Sequence, residues 1–206
     1  MFGLPGSTEI RKPVHKKLLY QRFPDELSGE KKERFDADIS RIVITNEISE
    51  VSVNIRPTEK IKTIFVVQVE LKTRDYNERN ITLISRLFGQ NLLMILHYED
   101  EYQIAIYETR LLKSEWKNEF DLSLKGLDLS AVWEGFVTAV SGIAASGENT
   151  LEKQIGIEVE KEKIKKTIAD LEKKARKESQ SKKKFDLFQK MKEYQKKLES
   201  LEGGHL

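Results

Sequence analysis

This chain of 206 residues contains no cysteine. Disulfides, thiolate metal sites and cysteine nucleophiles are therefore excluded, and the absence suits a reducing compartment. Histidine is scarce: His15, His97 and His205 are scattered, so no zinc spacing built on histidine exists. No Ser-His-Asp arrangement and no Gly-rich phosphate loop appear either. His97 ends a central strand and reads as a packed or capped histidine rather than a base. Long apolar runs are also missing. The longest, Leu92–Leu96, falls far short of the roughly 20 residues that span a bilayer, so no membrane role is expected. The opening Met-Phe-Gly-Leu-Pro-Gly has no basic segment followed by an apolar run. No secretory signal is read there, and a cytoplasmic location is expected.

What the chain does have is charge, unevenly spread. Charged residues make up 34% and apolar residues 38%, which gives a modest core under a highly charged surface. The net charge is only +2, yet residues 149–206 carry 16 Lys/Arg against 11 Asp/Glu, while residues 1–148 carry 20 against 23. A basic tail on an acidic body suits an acidic partner, nucleic acid or protein. The plainer reading is a solvated helical surface.

The tail holds the strongest pattern. From Ile157 to Glu202 there is neither Gly nor Pro, and 25 of those 46 residues are charged. Leu187, Met191, Tyr194, Leu198 and Leu201 step by three and four, as do Ile164, Ile168, Leu171 and Ala175. That period draws a narrow apolar seam along a charged helix, with coiled-coil spacing, and a narrow seam wants another helix over it. The two tracts do not share a phase, because the positions after Ala175 that would continue the first seam are Glu178 and Lys182. The tail is thus one long helix in an oligomer, or a hairpin joined near Lys177–Lys184 with both seams inside. The hairpin is preferred.

The body reads as mixed α/β: a mixed sheet with one parallel crossover, antiparallel hairpins and flanking helices. Pro5 and Pro13 suggest an extended lead-in. A helix is expected over Gly29–Ile39, with Phe35 and Ile39 inward, then strands over Arg41–Glu47 and through Val51, Val53 and Ile55, both on alternation. Ile61–Lys72 is β-branched and aromatic at its centre, as a buried strand should be. Asn77 as N-cap and Gly89 as the left-handed stop bracket a helix over Glu78–Phe88, with Ile81, Ile84, Leu87 and Phe88 facing inward. Leu92–Tyr98 follows as a strand, so strand, helix and strand make a parallel crossover. Tyr102–Tyr107 returns as a hairpin partner, and Leu111 and Leu112 begin a further strand. A helix over Leu129–Ala144 places Val132, Trp133, Phe136, Val137, Val140 and Ile143 on one face. The small residues Ser141–Gly147 mark a boundary between a domain at 1–146 and an arm at 149–206, and Asn149 with Glu152 resembles a capping box restarting a helix.

Chemistry is thinly signalled. In Gln68-Val69-Glu70-Leu71-Lys72, strand alternation points Gln68, Glu70 and Lys72 to one face. A carboxylate and an ammonium there resemble the Glu-x-Lys half of restriction-endonuclease-like nucleases, where the acid binds Mg²⁺ and the lysine orients water. Such enzymes want another acid on the preceding strand, and Val51–Arg56 offers none; Glu50 and Asp38 are the substitutes. The plainer reading is an ion pair on the solvated end of a strand. Mg²⁺ enters only under the nuclease reading, and no other cofactor or metal is expected. Asp36 and Asp38 diverge on a helix, so capping and pairing with Arg34 or Arg41 is preferred to shared metal binding. In the tail, Lys173, Lys174, Arg176, Lys177, Lys182, Lys183 and Lys184 could neutralise several phosphates.

Several stretches together resemble an uncharacterised prokaryotic family, domain of unknown function 4391. They are Phe2-Gly3-Leu4-Pro5 with Ser7-Thr8-Glu9, Arg34 to Ile42, Val67 to Lys72, Leu112-Lys113-Ser114-Glu115-Trp116, and Gly126-Leu127-Asp128-Leu129 leading to Val132-Trp133-Glu134. The resemblance brings no established activity and no catalytic residue. It implies a setting beside the DNA methyltransferases and helicases of restriction-modification or phage-defence loci. The function expected is a non-catalytic accessory or adaptor subunit. Its arm would bind a second copy, or a helicase or methyltransferase subunit, through Ile164, Ile168, Leu171, Leu187, Met191, Tyr194, Leu198 and Leu201. A nuclease using Glu70 and Lys72, and a DNA-binding arm, are the alternatives.

Overall fold

The computed structural model describes residues 2–89, 91–143 and 151–202. The chain divides into two compact units, Met1–Ala144 and Ala145–Leu206. The expected capping box at Asn149 and the expected end of the first domain at 146 lie outside the described residues.

The first unit is built on six strands, β1 (Glu9–Pro13), β2 (Ile39–Ser49), β3 (Thr63–Leu71), β4 (Leu92–Tyr98), β5 (Glu101–Tyr107) and β6 (Leu111–Lys113), ordered in space as in sequence. All neighbours are antiparallel except β3 and β4, whose parallel pairing is the expected crossover. The crossover runs through α4 (Glu78–Phe88). Asn77 caps it by accepting from the Arg79 amide, and Gly89 ends it at φ 62°. Both caps do what their residue types favour.

One face of the sheet is covered by α1 (Lys16–Arg22), α2 (Glu30–Asp38) and α4. There Leu19, Phe23, Phe35, Ile81 and Ile84 pack on Ile42, Val67, Val69, Met94 and Leu96. The other face buries Ile64, Val66, Leu93, Ile95, Ile104 and Ile106, and α5 (Leu129–Ser141) packs against β3, β5 and β6. Trp133 of α5 is buried and donates its indole N–H to Glu108 at 2.6 Å.

Four expectations need correction. The lead-in is not simply extended: a 3₁₀ turn at Gly6–Thr8, edge strand β1 and helix α1 occupy it. Seven residues with one fully buried side chain, Leu19, leave too little periodicity to announce α1. Ile39 opens β2 rather than closing α2, though it is buried as expected. Val51, Val53 and Ile55 form no strand. Glu50–Val53 is a single helical turn, α3, with Val51 almost wholly exposed. Ser52 accepts from the Ser49 amide at 2.9 Å and donates to the Glu47 carbonyl at 2.8 Å, and local bonds of that kind compete with a ladder. Asn54, left-handed at φ 54°, ends the turn. Finally, α5 stops at Ser141 with Gly142 at φ 70°, so Ile143 is past the helix and only half-buried.

The second unit contains α6 (Leu151–Lys177) and α7 (Ser181–Glu202), packed together and joined through residues 178–180. Only residues 178–180 separate two long helices that pack on each other, so the chain must double back and the helices run antiparallel; ion pairs from Lys197 to Glu160 at 2.7 Å and from Lys165 to Glu202 at 3.3 Å join them. The hairpin, not one continuous helix, is the arrangement adopted.

Candidate functional site

Strand alternation directs Val67, Val69 and Leu71 into the helix-covered core, and Gln68 and Glu70 to the opposite face. Parallel register sets Glu70 beside His97, near the carboxyl ends of β3 and β4. Open α/β sheets commonly bind ligands at that end. Glu70 accepts from Gln68 Nε2 at 2.7 Å through one oxygen, and its other oxygen lies 2.7 Å from His97 Nδ1. The His97 ring stacks on Tyr102 with centroids 4.5 Å apart, and the Phe2 ring meets Tyr102 edge-on at 5.1 Å. About a quarter of each partner is exposed, 24% for Glu70 and 23% for His97. The bond from Nδ1 to a carboxylate orients the imidazole, leaving Nε2 as the nitrogen for exchange with solvent or a ligand.

His97 is therefore packed, as the sequence suggested, but its link to Glu70 was missed. The only local signal was that both residues sit near the ends of strands flanking one crossover. Their register is a tertiary fact.

The other residues of the nuclease reading go elsewhere. Lys72 donates from Nζ to the Asp36 carbonyl at 2.7 Å. One oxygen of Asp38 accepts both the Asn77 amide and Asn80 Nδ2, each at 2.8 Å. That carboxylate is 9% exposed and sits at the N-terminus of α4, on the side of Val69 and Leu71, away from Glu70. The β2 residue directly opposite Glu70 is a cation, Arg41. The structure thus unites Gln68 with Glu70 and leaves Lys72 and Asp38 outside. Among the described residues, no three His, Asp or Glu side chains gather to hold a metal ion.

Asp36 and Asp38 diverge as expected, and Asp38 does cap a helix. The expected pairing with Arg34 or Arg41 is replaced by Lys16 at 2.9 Å and the Tyr20 hydroxyl at 2.6 Å, both on Asp36. Burial pushes the Asp36 carboxyl up, but the bonds from Tyr20 and Lys16 prevail and hold it below its ordinary value. Burial, reinforced by Asp36, drives the Tyr20 hydroxyl upward.

In the hairpin, Ile164 and Ala175 are buried, while Ile168, Leu171, Leu187, Met191, Leu198 and Leu201 are only half-buried. Tyr194 is 38% exposed, and Phe188 and Phe185, outside the seam, are 39% and 61% exposed. The seven cations singled out from the tail's sixteen lie at one end of the hairpin. Lys173, Lys174, Arg176 and Lys177 are in the last turns of α6, and Lys182, Lys183 and Lys184 open α7. Lys174, Lys177, Lys183 and Lys190 line a groove of about 510 Å³ with Glu178, Asp186 and Leu187. Arg176 pairs with Glu172 at 2.6 Å. Lysines in the first turn of α7 oppose the helix dipole and concentrate positive potential there.

No curated protein and no solved structure matches this chain, so no activity is suggested by a relative. The polar row on the sheet and nearly all of the hairpin fall within residues 2–198, which match the model of a domain of unknown function, DUF4391, and the chain belongs to that family.

Proposed function

We propose that this protein is a non-catalytic accessory subunit that assembles through its C-terminal hairpin. The observation carrying this is the half-open seam. Two helices can bury only what lies between them, and six seam residues remain partly in water. Burying the part of a leucine-sized side chain still exposed there, less than half of it, is worth about 0.5 kcal/mol, so six together offer about 3 kcal/mol to an association. A second copy is the occupant, because two hairpins close into a four-helix arrangement in which every seam is covered. The charge imbalance between residues 149–206 and 1–148 adds attraction between copies. The DNA-related setting, restriction-modification or phage defence beside helicase and methyltransferase subunits, rests on the family resemblance.

Sedimentation velocity of the full chain tests this. The chain should be dimeric, and Leu187→Asp with Met191→Asp and Leu198→Asp should make it monomeric. Those residues also hold the hairpin together, so Phe188→Asp with Tyr194→Asp, both exposed in the hairpin, is the companion variant: it should weaken the dimer and keep full helicity by circular dichroism. A wild-type chain that stays monomeric, including one that pairs only with an added helicase or methyltransferase subunit, overturns the second copy as occupant.

A second reading is favoured by the seven cations gathered at the hairpin turn: contact with DNA phosphates. Electrophoretic mobility shift at low salt should then show binding that collapses as salt rises, since each neutralised phosphate steepens the dependence. No shift with the full chain disposes of it.

A further inference from the structure

Beside the Glu70–His97 pair, the face of the sheet that carries α5 opens into a cavity of about 530 Å³ over β1, β2 and β3. Its apolar lining comes from Phe2, Leu4, Pro13 and Val43, and its polar lining from Glu9, Arg11, Arg41, Thr45, Asn46 and Gln68. The volume falls within the usual range for small-molecule sites, which are mostly apolar with a few placed polar groups.

The cavity wall is preformed. The Phe2 carbonyl accepts from the Leu122 amide at 2.8 Å. Gly3 sits at φ 74°, a backbone conformation that favours glycine and in which a side chain would be strained. Further along, the Thr8 hydroxyl donates to the Pro5 carbonyl at 2.7 Å and accepts from Asn46 Nδ2 at 2.8 Å. The segment bearing Phe2 and Leu4 is thus fixed to the body on both sides. Walls fixed before binding lower the ordering cost of a ligand.

Arg41 is the informative group. It lies directly opposite Glu70, where an ion pair would be expected. Both Glu70 oxygens are already engaged by Gln68 and His97, and among the described residues the Arg41 guanidinium makes no hydrogen bond or ion pair. Arg11, the other cation on the lining, is paired with Glu9 at 3.1 Å. One guanidinium without a protein counter-charge therefore lines the cavity, whose lining carboxylate, Glu9, is already held by Arg11.

We propose that this cavity binds a small organic anion with a flat apolar body. A carboxylate or phosphate would pair with the Arg41 fork, and the ring would lie among Phe2, Leu4, Pro13 and Val43. Bidentate guanidinium pairing suits both head groups. This site is independent of the hairpin and of its partner.

The experiment is a titration of the uniformly ¹⁵N-labelled full chain, followed by amide shifts, with benzoate, adenosine 5′-monophosphate, neutral benzamide and inorganic phosphate. Benzoate carries the carboxylate and the nucleotide the phosphate, which distinguishes the two head groups. At least one ring anion should saturate with shifts clustered at Arg41, Val43 and Gln68, while benzamide and inorganic phosphate bind much more weakly. Arg41→Gln should weaken the ring anion about ten-fold, the scale of a lost charge-assisted pair. Arg41 is exposed, so the variant keeps its fold, checked by circular dichroism. No clustered shift with either ring anion up to millimolar concentration, or equal binding by Arg41→Gln, overturns the proposal.

Discussion

Asp38→Ala separates a structural carboxylate from a catalytic one. The Asp38 side chain accepts two hydrogen bonds at 2.8 Å through a single oxygen while 9% exposed. Bonds to a charged acceptor are each worth about 1.5–3 kcal/mol. The two donors differ, however. Asn77 is exposed and its amide recovers water, whereas Asn80 is 5% exposed and its side-chain amide would lose its acceptor in a dry site. The carboxylate also sits at the N-terminus of α4, a favourable end for negative charge worth about 0.3–1 kcal/mol. With one donor rescued by water, the expected loss is about 3 kcal/mol. In urea, with a slope of about 2 kcal/mol per molar, that moves the midpoint down by about 1.5 M. Both tryptophans, Trp116 and Trp133, lie in the first unit, so their fluorescence follows that unit without contribution from the hairpin. Asp38→Asn, which keeps one acceptor oxygen, should fall between the two. A loss below about 1 kcal/mol for Asp38→Ala would refute the reasoning, because a buried amide left without its acceptor costs at least that much.

Three further outcomes are expected. The Asp36 carboxyl is held below its ordinary value of 3.8, so its stabilisation is fully present above that value and is lost as pH falls through the lower, folded-state value; Asp36→Asn should flatten the acid limb of a plot of urea midpoint against pH, and an unchanged limb would count against it. The Lys197–Glu160 pair, 2.7 Å long but about half exposed on both sides, is largely screened by solvent; Lys197→Ala should shift the thermal transition of the hairpin only slightly, and less still in high salt. Plasmid nicking with Mg²⁺ or Mn²⁺ should be absent, since the Glu70 carboxylate is bonded to Gln68 and His97 and the β2 residue opposite it is Arg41 rather than a second acid; nicking that disappears in Glu70→Ala would revive the nuclease reading.

Much of the architecture was legible because it is local. Asn77 and Gly89 bracket α4 through their own backbone preferences, and the β-branched run in β3 reads as buried wherever the strand is placed. The break between α6 and α7 was legible as well, since Glu178 and Lys182 occupy positions where a continuous seam needs apolar residues. The Val51–Ile55 stretch failed for the complementary reason. It alternates as a strand does, but Ser52 bonds within its own turn and no neighbouring strand competes for it.

The candidate sites divide along the same line. Residues 68–72 looked like one constellation because alternation puts Gln68, Glu70 and Lys72 on one face. Register and helix placement then drew Glu70 to His97 and Lys72 to the Asp36 carbonyl. The cavity lining likewise depends on a shift in the β2–β3 register between Ile44 and Asn46, which brings Arg41, Val43 and Asn46 to the same face of the sheet.

The sequence by itself determined the mixed α/β body, the crossover helix with its caps and the two-tract helical tail, because periodicity, capping and charge act over a few residues. Only the tertiary structure decided that Asp38 holds a helix end, that Glu70 orients His97 and that Arg41 is left without a counter-charge. Those facts depend on which side chains meet across strands far apart in the chain, and no local pattern carries that information.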